Sequence, residues 1–129
     1  MKIAAIIARI LLGLVFVFFG SNSFFPFLPM PPLPANAAGQ FLGALISSHY
    51  VMLVGGAEVV GGLLLLINRF VPLGLTILGP VIVNILGFHL LMARQGISIA
   101  IVVAILWFFL FYAYREYFSP LFVPRAQPR

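Results

Sequence analysis

A single carboxylic acid in the middle of a long apolar run constrains this chain more than any other feature. Glu58 lies in the apolar run 50–67, between the pairs Gly55-Gly56 and Gly61-Gly62. An ionisable side chain at mid-bilayer depth costs about 2.5–3.5 kcal/mol on insertion scales, and it normally faces protein or water instead of lipid. On a helix these glycines flank the acid, so a second helix can pack closely there. We therefore expect Glu58 to face inward and to have a polar partner.

Composition excludes a soluble globule with a polar surface. Of the 129 residues, 64% are hydrophobic and 7% are charged, and the mean hydropathy is +1.22. The chain is therefore expected to be an integral membrane protein that forms a single domain. The formal net charge is +5, but the basic residues are scattered at predicted helix ends, so we expect no nucleic-acid partner. The absence of cysteine excludes disulfides and thiolate metal sites.

Four apolar stretches are long enough to cross a hydrocarbon core about 30 Å thick, and we predict spans over residues 3–20, 50–67, 72–92 and 97–113. Short turns make neighbouring spans antiparallel. Five prolines within residues 21–34 predict a proline-rich outer loop between the first two spans, and a short helix is expected from about residue 36 to a break near 47–49. The predicted fold class is an all-α membrane protein, with a four-transmembrane-helix antiparallel bundle in a single domain.

The distribution of Lys and Arg predicts the orientation of this bundle. One side of the predicted topology carries a single basic residue, Arg94, and the other carries Lys2, Arg69, Arg115, Arg125 and Arg129. The positive-inside rule therefore places both termini in the cytoplasm. The predicted localisation is the cell (inner or cytoplasmic) membrane, multi-pass, with the lipid bilayer as surrounding partner. Aromatic residues near the end of the fourth span, such as Trp107 and Tyr112, are typical of an interfacial belt.

A second intramembrane charge, Arg9, predicts a polar core. Arg9 lies roughly 9 Å from the cytoplasmic end of the first span, and Glu58 lies roughly 14 Å from that end of the second. We expect an Arg9–Glu58 ion pair, which either only fixes the packing or also handles a ligand or a proton. Asn84, at mid-depth in the third span, is expected to complete this core through a hydrogen bond to Glu58 or to a backbone carbonyl of another helix. Pro80 is expected to kink the same span.

Two histidines are candidates for contacts in the outer third of the bilayer. His49 opens the second span and His89 lies near the end of the third. With no carboxylate or thiolate expected nearby, we predict interfacial side chains that reach headgroups. A metal or haem site is the weaker alternative, and we expect no metal site. His89, beneath the apolar loop, is also a candidate to bind a quinone headgroup. No catalytic residue is identified.

Several segments of the chain resemble DoxX family membrane proteins. They are ARILLG at residues 8–13, FG at 19–20, residues 41–48 and AEVVGGLLLL at 57–66, and the resemblance covers most of residues 4–92. It implies a small four-helix bundle and a link to thiosulfate:quinone oxidoreductases and membrane-associated redox complexes. Relatives commonly carry a lysine just after the glycine that ends the first helix, whereas this chain continues Ser21-Asn22-Ser23. The bundle also resembles the vitamin K epoxide reductase architecture, without its cysteines.

Three functions are consistent with these features. The favoured one is an accessory or quinone- or lipid-binding subunit of a membrane redox system, with a redox partner protein or a second copy of the chain as partner and quinone as the cofactor. The second is an assembly or structural factor. The third is a small proton-coupled transporter or enzyme in which Glu58 exchanges a proton; the lack of a second intramembrane carboxylate argues against it.

Overall fold

The computed structural model describes all 129 residues and contains helices and no strand. Its elements are α1 (Lys2–Asn22), α2 (Ala37–Ser47), α3 (Tyr50–Leu66), α4 (Val71–Leu91), α5 (Ile97–Ala113), α6 (Arg115–Phe118) and a 3₁₀ helix (Ser119–Phe122). The all-helical class is therefore confirmed. The four longest helices begin and end within two residues of the predicted spans.

Two helices, α1 and α4, are each long and apolar enough to cross a membrane by themselves. Helices α3 and α5 have 17 residues each. They reach the required length only together with a bent neighbour: α2 lies at 84° to α3, and the segment Arg115–Phe122 lies at 80° to α5. The chain thus has two helices suited to spanning a membrane, or up to four if each bent pair counts as one span.

Local sequence explains where the short helix α2 begins and ends. The Asn36 side chain accepts a hydrogen bond from the Gly39 N–H at 3.2 Å, which caps the start of α2. The chain then turns through His49, which has a left-handed φ of 63°, before α3 begins. The predicted break near residues 47–49 is confirmed. The preceding residues 24–36 form no helix, and Asn22 Oδ1 accepts two backbone N–H groups at their start, each at 3.0 Å.

The long helices pack in a ring in which α1 contacts α3, α3 contacts α4, α4 contacts α5, and α5 contacts α1. Fully buried side chains from all four helices fill the centre: Leu12, Phe16, Leu65, Leu75, Leu78 and Leu110. Trp107 departs from the predicted interfacial belt, because its ring covers Gly79 and its indole N–H donates to the Leu75 carbonyl at 2.9 Å. Pro80 lies inside a continuous α4, and the kink there stays a prediction.

Glycines bring α1 and α3 into backbone contact. A Cβ atom added at Gly62 would lie 2.9 Å from the Gly13 carbonyl oxygen, and one added at Gly20 would lie 2.8 Å from the Gly55 carbonyl oxygen. Because residue numbers rise along α1 while they fall along α3, the two helices are antiparallel. Where lipid removes the usual hydrophobic drive, such close approach is what holds helices together.

Replacing Gly62 with alanine should therefore destabilise the protein by about 1–3 kcal/mol, because the added methyl group meets backbone atoms of α1 that cannot yield. Gly87, in α4, is the matched control, since a Cβ atom there meets nothing within 4 Å. Gly87→Ala should be neutral or stabilising by up to about 1 kcal/mol, because alanine is the better helix former. Thermal unfolding in detergent measures both variants, and equal stabilities would contradict the close packing of α1 on α3.

Candidate functional site

Arg9 is the one charged side chain buried in the structure, and it caps the end of α3. The residue is 8% exposed, and its Nη1 donates hydrogen bonds to the carbonyls of Leu65 and Leu66, the latter at 3.4 Å. The last carbonyls of a helix lack intrahelical partners and carry the negative end of its dipole. A guanidinium at this position satisfies these acceptors and also has a favourable electrostatic interaction with the helix.

The predicted Arg9–Glu58 ion pair is wrong. The chain contains no salt bridge, and the Arg9 guanidinium bonds a carbonyl seven residues, roughly 10 Å, further along α3 than Glu58. The prediction assumed that the first two long helices end at one level. In the structure Gly13 packs against Gly62 and Leu66, so the first turns of α1 extend beyond the end of α3. Arg9 therefore meets the end of α3 and not its middle.

A cavity of about 290 Å³ lies between the four long helices. Of its ten lining residues, two have polar side chains, Glu58 from α3 and His89 from α4, and the others are apolar residues or glycine. Side chains tilt toward the N-terminus of their own helix. Glu58 therefore tilts toward the start of α3, which is the end of the α3–α4 hairpin where His89 lies.

Contacts within the α4–α5 turn fix the orientation of the His89 ring. Its Nδ1 lies 2.9 Å from the Ala93 carbonyl oxygen and 2.8 Å from the Gln95 carbonyl oxygen. Since both neighbours are acceptors, Nδ1 carries the hydrogen and donates it, which leaves Nε2 as an acceptor in the neutral ring. No group of the chain bonds Nε2. The turn fits closely around the ring, because a Cβ atom at Gly96 would lie 3.1 Å from His89 Cε1.

Glu58 has no hydrogen-bond partner within the chain. No fully buried side-chain oxygen or nitrogen in the structure lacks a partner, so the Glu58 carboxyl oxygens are accessible, and the residue lines the cavity. The predicted close approach of a second helix is present, since a Cβ atom at Gly20 would lie 2.9 Å from Glu58 Cβ. The cavity therefore presents two groups that can accept hydrogen bonds and protons, surrounded by apolar side chains.

The remaining two candidates do not join this site. Asn84 is exposed, and its Nδ2 donates to the Pro80 carbonyl of the same helix at 2.8 Å. Its predicted role in the polar core is wrong, because a side chain of this type can bond the carbonyl four residues earlier. His49 is exposed and does not line the cavity. That Glu58 and His89 line one cavity was not predicted from the sequence.

The apolar lining residues were not among the sequence candidates. Phe19, Ile85 and Val103 shape the cavity, but each belongs to a run of similar apolar residues, and no feature of the sequence distinguishes them. A signal did exist for the two polar residues. Glu58 and His89 lie on the two arms of one antiparallel hairpin, and the tilt of Glu58 directs it toward the end at which His89 lies.

Comparison of the chain with models of protein families, with curated proteins and with solved structures gives no match. The resemblance to the DoxX family therefore rests on the sequence segments quoted above, and the candidate site rests on the geometry of this structure.

Replacing Arg9 with leucine should lower the free energy of unfolding by about 1–3 kcal/mol, because the carbonyls of Leu65 and Leu66 lose the hydrogen bonds from the charged guanidinium. Since Arg9 and Glu58 do not pair, the effects of Arg9→Leu and Glu58→Leu should add to within about 0.5 kcal/mol in the double variant. Arg94→Leu, at an exposed turn, is the control for loss of an arginine. Unfolding in detergent measures all four variants. A double variant more stable than Arg9→Leu alone would show that Arg9 and Glu58 do form an ion pair.

Proposed function

We propose that this chain is a DoxX-like, multi-pass protein of the cell membrane that binds a quinol or quinone headgroup between Glu58 and His89. It acts as the binding or accessory subunit of a membrane redox system. One observation carries the proposal. Two side chains, Glu58 and His89, line an otherwise apolar cavity between four apolar helices, and each keeps a hydrogen-bonding group that has no partner in the chain. An intramembrane ionisable residue is by default a functional residue, and Glu58 has no structural partner.

The chemistry of the cavity matches a hydroquinone ring. Such a ring is flat and apolar, with hydroxyl groups on opposite edges. Each hydroxyl can donate a hydrogen bond, one to the Glu58 carboxylate and one to His89 Nε2, while side chains such as Phe16 and Ile85 cover the ring faces. At about 290 Å³ the cavity is at the lower limit of the ~300–1,000 Å³ typical of ligand sites, a size that suits a headgroup. The isoprenoid tail would then extend among the lipid chains.

The same two residues can take part in quinol oxidation. Conversion of a quinol into a quinone releases two protons and two electrons. Glu58 and His89 can each accept one proton from the hydroxyl that it binds. The electrons pass to an oxidant held by a redox partner protein, the class of partner that the DoxX resemblance implies.

The proposal includes four membrane spans, with each bent pair counted as one span, and places both termini and the α3–α4 turn in the cytoplasm. The proline-rich residues 24–36 and the α4–α5 turn then lie on the outer side, above the cavity. This orientation places His89 near the outer surface and Arg9 near the inner surface.

The native chain has no cysteine, so single cysteines report this topology. Ile67, exposed at the end of α3, and Gln95, exposed in the α4–α5 turn, are suitable positions. In intact cells a cysteine at residue 67 should react only with reagents that enter the cytoplasm, and one at residue 95 should react with impermeant reagents. The opposite pattern would show that the orientation is the reverse of the one proposed. Labelling of both positions from the same side would show that α4, which lies between them, does not cross the membrane.

Quinol binding is measured by calorimetry in detergent. Glu58→Gln and His89→Asn should each weaken binding roughly tenfold, because the first replaces the charged carboxylate acceptor by a weaker, neutral amide oxygen and the second removes the Nε2 acceptor. In His89→Asn the amide nitrogen can replace Nδ1 in its bonds to the Ala93 and Gln95 carbonyls, so the fold is kept while Nε2 is lost.

His49→Asn is the matched control, because His49 lies outside the cavity and asparagine tolerates its left-handed backbone. It should bind as the parent does. Parent-like affinity in both cavity variants would exclude this cavity as the site. No binding by the parent would remove the quinone function and leave the assembly role as the better account.

A further inference from the structure

A second and larger cavity, of about 640 Å³, opens at the opposite end of the bundle. The start of α1, the α3–α4 turn and the α5–α6 junction meet there. Three cationic side chains line it, Lys2, Arg9 and Arg115, against a single acid, Glu116. Because the chain contains no salt bridge, Glu116 neutralises none of them directly, and the cavity keeps a net positive charge.

The arginines keep hydrogen-bond donors free for a ligand. Arg9 uses Nη1 for the end of α3, and its other guanidinium nitrogens have no partner in the chain. No fully buried polar side-chain atom in the structure lacks a partner, so these unpaired nitrogens must be accessible. Arg9 lines this cavity, which gives a ligand access to them. Arg115 donates one hydrogen bond to the Tyr112 carbonyl at 2.9 Å, with its guanidinium 4.3 Å from the centre of the Tyr112 ring. These contacts hold Arg115 in place at the mouth of the cavity and occupy one of its five donors.

The segment beside the cavity has the character of a membrane-surface helix. Arg115–Phe122 bends by 80° away from α5, and it leaves Tyr117, Leu121 and Phe122 about 70% exposed. Large apolar side chains next to basic ones are typical of segments that lie in the headgroup region. In the membrane orientation proposed above, the cavity mouth is therefore level with the lipid phosphates.

We propose that this cavity binds the phosphate group of an anionic phospholipid, with Lys2, Arg9 and Arg115 as its ligands. Basic pockets between helices at the cytoplasmic surface suit lipids of this class. A free phosphate ion has the same binding chemistry, but the exposed apolar residues of Arg115–Phe122 provide a surface for acyl chains that a free ion does not use. The site is independent of the quinol cavity, with which it shares no lining residue.

The test counts lipids bound to the full chain by native mass spectrometry from a neutral detergent. The probes are a short-chain phosphatidylglycerol, the phosphatidylcholine with the same chains, and inorganic phosphate. The parent should bind phosphatidylglycerol in preference to both. The double variant Lys2→Gln with Arg115→Gln should bind it about 25-fold more weakly, at about fivefold for each removed charge. Its melting temperature without lipid shows that the fold is kept.

The control removes the same charge elsewhere. Arg125→Gln with Arg129→Gln changes two basic residues of the tail that do not line the cavity, and it should bind phosphatidylglycerol as the parent does. An equal loss in this control would replace the proposed pocket by general surface charge. Equal binding of phosphatidylcholine by the parent would overturn the assignment, and phosphate binding as strong as lipid binding would identify a free-anion site in its place.

Discussion

The contact between the Arg9 guanidinium and the last carbonyls of α3 determines how the rest of the bundle is arranged. A charge within an apolar helix is tolerated only with partners, and the carbonyls of Leu65 and Leu66 supply them together with the negative end of the helix dipole. This contact fixes the height of α1 against α3. At that height Gly13 faces Gly62, which lets the two backbones touch. One polar contact and a pair of small residues thus set the register of the two helices.

This register separates the two charged residues that lie within the apolar helices α1 and α3. Arg9 bonds the last carbonyls of α3 at one end of the bundle, and Glu58 remains without a protein partner in a cavity that it shares with His89. An ion pair would have neutralised both charges and left a closed core. The observed arrangement leaves an acid between apolar helices with no partner in the chain, which is the physical basis for the ligand proposed there.

The sequence was sufficient for the helices but not for their register. Apolar runs, prolines and Asn36 predicted the helix ends and the break near His49, since these depend on local backbone chemistry. The Arg9–Glu58 pair failed because it depends on relative helix height, which the position of helix ends in a sequence does not fix. Asn84 failed because its own helix offers a carbonyl as readily as a neighbour does. Glu58 and His89 lie on one predicted hairpin, but that Glu58 is left without Arg9 and lines a cavity with His89 follows only once the register of α1 and α3 is known.

The most direct test of the central claim is an experimental structure with a bromine-labelled hydroquinone analogue, in which the anomalous scattering of bromine locates the ring independently of how the ligand is built into the density. The account predicts a single bromine peak within the cavity, between Glu58 and His89, with a ring oxygen in hydrogen-bond contact with each side chain. A peak on the lipid-facing surface or against the proline-rich residues 24–36, with the cavity filled only by protein side chains, would contradict it.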